Sequence, residues 1–175
     1  MRKYIVLTIL LLTSATIFAG GAFERRSQSV GGGASFVFQS GDLYNDFSSL
    51  SLSTKYSRAV SYGTFFGGIV ELNYLDIGSY SSTDYFFGLI LEKYLKSSEN
   101  SSKAFPYLKT TAMIGSISES TAFSAGIHLG MAFMISDAIA LEIGGVYTYN
   151  HFSYSGESVS GNIIQANAGL TTFIF

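Results

Sequence analysis

Cysteine and tryptophan are absent, proline occurs once, and Asp, Glu, Lys and Arg make up only 13% of 175 residues. Without cysteine there is no disulfide framework and no site for lipoprotein acylation. The two histidines, His128 and His151, lie far apart and offer no metal-ligand spacing, so neither metal nor cofactor is expected. A charged fraction about half the roughly 25% of a typical soluble domain makes a poor surface for a water-soluble monomer. Beyond the first residues, no basic run is longer than Arg25-Arg26, which argues against nucleic acid as a partner. What is abundant instead is apolar and small: 47% hydrophobic residues, 12 Tyr, 15 Phe and 19 Gly. That composition is poor in helix formers for a bundle.

The first stretch, "MRKYIVLTILLLTSATIFAGGA", has Arg2 and Lys3, an apolar run from Tyr4 to Leu12, then small residues. This is the three-part layout of a secretory signal peptide. We assign residues 1–21 to it, with cleavage between 19 and 22, and residues 22–175 to one mature domain. As a membrane anchor the run is short, and Thr13, Ser14 and Thr16 interrupt it. Loss of Arg2 and Lys3 leaves 8 basic against 12 acidic residues, a net charge of −4.

Past Phe23 there is no linker, heptad or long apolar run. Apolar residues alternate with small or polar ones in eight segments, near 30–40, 48–58, 64–77, 85–96, 105–117, 121–135, 138–152 and 162–175. Tilted bilayer crossings need about 9–11 residues, and these segments reach that length. Strands of ordinary sheets are shorter, about 5–6 residues. The connections also alternate. "QSGDLYNDFSS", "DIGSYSSTD" and "YNHFSYSGESVSG" are polar, whereas Ser136-Asp137 and "SRAVSYG" are compact. Long outer loops with short periplasmic turns mark membrane barrels. "KSSENSSKA" and "SISEST" fit that alternation poorly.

Orientation decides between two kinds of barrel. In "TAFSAGIHLGMAFMI", Phe123, Ile127, Leu129, Met131 and Phe133 share one face, and Ser124, Gly126, His128 and Gly130 the other. Were the apolar faces inward, as in a lipocalin-like binding barrel, the exterior would be Ser, Gly and Ala with few charges, a poor surface for a soluble protein. Outward, they meet lipid, small residues fill the narrow bore, and Tyr56, Tyr74, Tyr85, Tyr147 and Tyr149 form interfacial girdles. The expected fold is therefore an all-β, eight-stranded, antiparallel up-and-down transmembrane barrel. Lys55, Glu71, Glu92, Lys109, His128 and Glu142 all fall on the small-residue faces, which predicts a lumenal polar network, since buried charges must pair. Lys93 falls on the apolar face near the periplasmic end, where its stem can snorkel.

The signal peptide, the eight segments, "VGGGASFVF", "FPYLKTTAMIGS", "FMISDAIALEIGGVYTY" and the closing "NAGLTTFIF" together resemble the small OmpA/OmpX-type outer-membrane barrels of Gram-negative bacteria. The resemblance covers Val30 to Phe175. It implies residence in the outer membrane among its lipid and lipopolysaccharide, and insertion by the barrel-assembly machinery, which reads a last strand ending in an aromatic residue, here Phe173 and Phe175. That strand departs from the pattern. The phase of Phe173 continues back through Thr171, Gly169 and Asn167, while Ile164, Ala166, Ala168 and Leu170 form the greasier phase. A bulge near Thr171 and Thr172 would bring both onto the outside.

Function then divides three ways: a plugged barrel with a structural or surface-contact (adhesin-like) role, a small-solute porin-like channel, or a lipocalin-like binder. An enzyme is not expected. The chain resembles lipid A deacylase barrels only in the spacing of His128 and Glu142, and Gly130 stands where their serine nucleophile would be.

Overall fold

The structure, a computed structural model, describes residues 22–39, 47–77, 80–96, 103–117, 120–154 and 157–175. The signal peptide expected over residues 1–21 lies outside the described residues. Eight strands follow one another: β1 (Gln28–Gln39), β2 (Phe47–Ser61), β3 (Thr64–Ile77), β4 (Tyr80–Tyr94), β5 (Ala104–Ile117), β6 (Ser120–Met134), β7 (Ile139–Tyr154) and β8 (Glu157–Ile174). Each pairs antiparallel with the next, and β1 pairs with β8, so the sheet closes into a barrel. Closure removes the exposed sheet edges that an open sheet would present.

The period-2 pattern sorts side chains as alternation requires. Phe123, Leu129 and Phe133 are 41%, 59% and 40% exposed on the outer wall, whereas Ser124, on the opposite face, is buried. The five expected girdle tyrosines also point outward. Tyr56 donates to Gln28 Oε1 (2.9 Å), Tyr147 to Asn162 Oδ1 (2.7 Å), and Tyr149 lies 3.1 Å from Ser160 Oγ.

The two rims differ. At one rim, here the turn end, lie residues 62–63 and 135–138, the start of β1 and the end of β8. Gly63 carries φ +63° in the β2–β3 turn, and a Cβ there would come 2.7 Å from Tyr94 O. Lys93 reaches this rim and donates to Tyr62 O (3.0 Å) and Thr64 Oγ1 (2.9 Å).

At the other rim, the loop end, strands extend further than hydrophobic alternation indicates. β4 begins at Tyr80 rather than residue 85, and β8 at Glu157 rather than 162. Much of the polar sequence read as loop is hairpin, paired to Ile77↔Tyr80 and Tyr154↔Glu157. Backbone pairing needs no apolar side chain, so the ladder continues where the greasy pattern stops.

Between β1 and β8 the described ladder is short, seven pairs from Gln28↔Ile174 to Ala34↔Ala168, against sixteen between β7 and β8.

Candidate functional site in the barrel lumen

An eight-stranded barrel has a bore just wide enough for side chains, and here they stack in layers. At the turn end the floor is aromatic. Phe23, in the turn preceding β1, inserts among Phe65, Tyr94, Phe105 and Phe173 with ring centroids 5.0–6.4 Å away. Two backbone bonds hold its turn, Gly63 N to Phe23 O (3.0 Å) and Ala59 N to Ser27 O (2.8 Å). Arg26 within it adopts φ 93°, a conformation uncommon for a residue with a side chain. Lys96 lies over the rings of Phe23 and Phe105 at 5.3 and 5.4 Å.

Above the floor, β2, β4, β5 and β7 each deliver one charge to the bore: Lys55, Glu92, Lys109 and Glu142, all buried. Lys55 pairs with Glu92 and Lys109 with Glu142; the cross contacts are Lys109–Glu92 at 3.3 Å and Lys55–Glu142 at 3.8 Å. Each ammonium thus meets both carboxylates in a square of zero net charge. Hydroxyls fill the remaining lone pairs. Ser57 donates to Glu92 Oε1 (2.7 Å), with Ser29 Oγ 2.6 Å from Ser57 Oγ. The Tyr94 hydroxyl lies 2.5 Å from Glu142 Oε1 and 3.2 Å from Glu92 Oε2, and accepts from Lys55 at 3.3 Å. A buried ion set repays its desolvation only when hydrogen bonds complete it, and this set is extensively bonded.

Beyond the square, towards the loop end, an enclosed cavity of about 20 Å³ is bounded by Glu71, His128, Thr111 and polar side chains of β1, β2, β7 and β8. Thr111 Oγ1 is buried there without a protein partner. The space suits about one water molecule.

Of the six residues expected in a lumenal network, four form the square. Glu71 and His128 line the cavity above it and form no ion pair with the square, although His128 lies opposite Lys109 in register. Tyr94, Ser57 and Ser29 complete the square but were not singled out from sequence. Their signal was available for two of them: Tyr94 follows Glu92, and Ser57 follows Lys55, by two positions on the same strand face.

Phe173 requires a correction. It was expected on the outward phase, yet it is fully buried in the aromatic floor, with Phe175 packed partly against the same cluster. The β7–β8 register runs without a bulge, so the two phases of β8 compete for one outer wall. Ile164 and Leu170 take the outer side, and Phe173 turns in.

At the position of a deacylase nucleophile, Gly130 leaves no room for a serine. A Cβ there would lie 2.2 Å from Ile143 O and 2.8 Å from the Tyr107 hydroxyl. Glu142, fourteen residues after His128, is engaged by Lys109 and Tyr94. Among the described residues no group of three or more His, Cys, Asp or Glu gathers as a metal site.

Closed eight-strand connectivity and an apolar outer wall around a packed polar bore decide the architecture. The fold is that of a small outer-membrane barrel. A crystal structure of Neisserial surface protein A shares it, with a TM-score of 0.56 and 16% sequence identity, over 83% of this chain and 94% of that one. At that identity the likeness speaks for the barrel fold. No family model and no curated protein matches the sequence.

Proposed function

We propose that the chain is an integral outer-membrane barrel with a closed lumen, whose role is structural or exercised through contacts at its loop end, without transport or catalysis. The double plug carries this reading: an aromatic floor at Phe23, Tyr94 and Phe173, then a neutral ion square spanning the bore. The outer wall supports membrane insertion. Leu52, Phe66, Val70, Phe87, Leu89 and Ile143 are all exposed on it, which water would penalise and acyl chains would cover. That distribution argues against the lipocalin-like alternative, whose ligand pocket would need an apolar interior. The likeness to a Neisserial surface protein agrees with placement in the outer membrane. Lipid, lipopolysaccharide and, during insertion, the barrel-assembly machinery are the partners this reading requires.

Three measurements test it. Detergent-extracted protein should migrate differently on SDS gels with and without boiling, and should resist carbonate extraction. In planar bilayers it should give no steady conductance of open-porin size. Carbonate-soluble protein would overturn membrane insertion, and steady large channels would overturn the plug.

A further inference from the structure

Basic charge on this barrel is divided by height. Past residue 21, every lysine and arginine is either in the ion square (Lys55, Lys109) or near the turn end. Arg25 and Arg26 precede β1, Arg58 lies near the end of β2, Lys93 and Lys96 near the end of β4, and Lys103 just before β5. The sequence at the loop end carries Asp42, Asp46, Asp76, Glu119 and Glu157 and no lysine or arginine. The bases also favour one side of the barrel, β1 to β5, since the β6–β7 turn carries Asp137 instead.

On that same side the outer wall is indented. A groove of about 870 Å³ crosses it, floored by Thr54, Gly68 and Ala112 and walled by Tyr56, Phe87 and Ile114 among others. Its lining is apolar, and it lies within the band of exposed hydrophobic residues. Arg58 is exposed, two residues along the same face of β2 from Tyr56, about 7 Å nearer the rim by strand rise. It has no ion-pair partner among the described residues. The Lys93 ammonium keeps one of its three protons beyond the bonds to Tyr62 and Thr64.

We infer that this side of the barrel holds an anionic phospholipid of the leaflet at the turn end, its phosphate at Arg58 and Lys93 and an acyl chain in the groove over Thr54, Gly68 and Ala112. A basic rim below an apolar furrow matches a negative headgroup with a hydrocarbon tail. The inference rests on the membrane reading above. A zwitterionic lipid would fill the furrow equally well but gain little at the rim.

Native mass spectrometry of the refolded barrel tests it, with phosphatidylglycerol and phosphatidylcholine of identical chains added to the detergent. Phosphatidylglycerol should be retained about tenfold better, and Arg58→Gln should weaken it about fivefold, the worth of roughly one basic residue near an anionic surface. Gly68→Leu, which fills the furrow, should reduce retention of both lipids. Equal retention of the two lipids, or retention unchanged in Arg58→Gln, would overturn the site. So would full displacement by free glycerol phosphate, because the chain would then contribute nothing. Each variant is first floated with phosphatidylcholine vesicles. Failure of the wild type to float removes the membrane reading itself, whereas flotation with equal retention removes only the lipid site.

Discussion

Glu92→Gln will unfold at markedly lower urea concentration than the wild type when both are folded into lipid vesicles. The side chain keeps its shape but loses its charge, leaving Lys55 and Lys109 to share Glu142 alone in a bore closed to water. Ser57 loses its ionised acceptor at the same time, whereas Tyr94 keeps Glu142. Breaking one member of a buried ion set costs about 3–5 kcal/mol, because the remaining charge stays buried without compensation. Adding Lys55→Met to Glu92→Gln restores neutrality and should recover most of the loss. The pair of variants separates charge imbalance from lost packing. If the double variant is no more stable than Glu92→Gln, the square does not work through its charge balance.

Leu129→Arg should destabilise the barrel in vesicles by about 2–4 kcal/mol, the cost of an arginine on the lipid face near the bilayer centre. Leu129 is well suited to the test, since it points outward on β6 between Ile127 and Met131, which are themselves exposed. Unfolding titrations of Leu129→Ala provide the size control. On a water-facing surface the same arginine would shift stability by no more than about 0.5 kcal/mol. A change that small in vesicles would mean the wall does not face acyl chains.

Much of the fold was legible because a single rule, alternation, governs every strand. Phe66 and Val70 on one side, Phe65 and Ile69 on the other, are separated by position alone, and the structure exposes the first pair and buries the second. The rule weakens where side-chain chemistry stops distinguishing the faces. Near residues 80–84 and 157–161 both faces are mostly polar, so the ladder outruns the pattern. In β8 both phases are partly apolar, and the sequence alone offered no means to choose which of Leu170 and Phe173 faces out.

The lumen was legible in part for a similar reason. Parity reveals that Lys55, Glu92, Lys109 and Glu142 point inward, but it does not say which meet across the bore. That depends on strand stagger, which puts Glu92 opposite Lys109 on neighbouring strands and brings Lys55 and Glu142 to the same height from farther round. Phe23 had no signal of this kind. It sits in a non-periodic turn ahead of β1, and only closure of the barrel creates the hollow that it fills.

The seam where the first and last strands meet is the weakest joint of the cylinder. Parting β1 from β8 breaks seven described pairs, and parting β7 from β8 breaks sixteen. Local openings occur where the fewest bonds must be given up together. Excursions of the wall will therefore begin as an unzipping at this seam, from the loop end downwards, while the ion square and aromatic floor still pin the opposite rim.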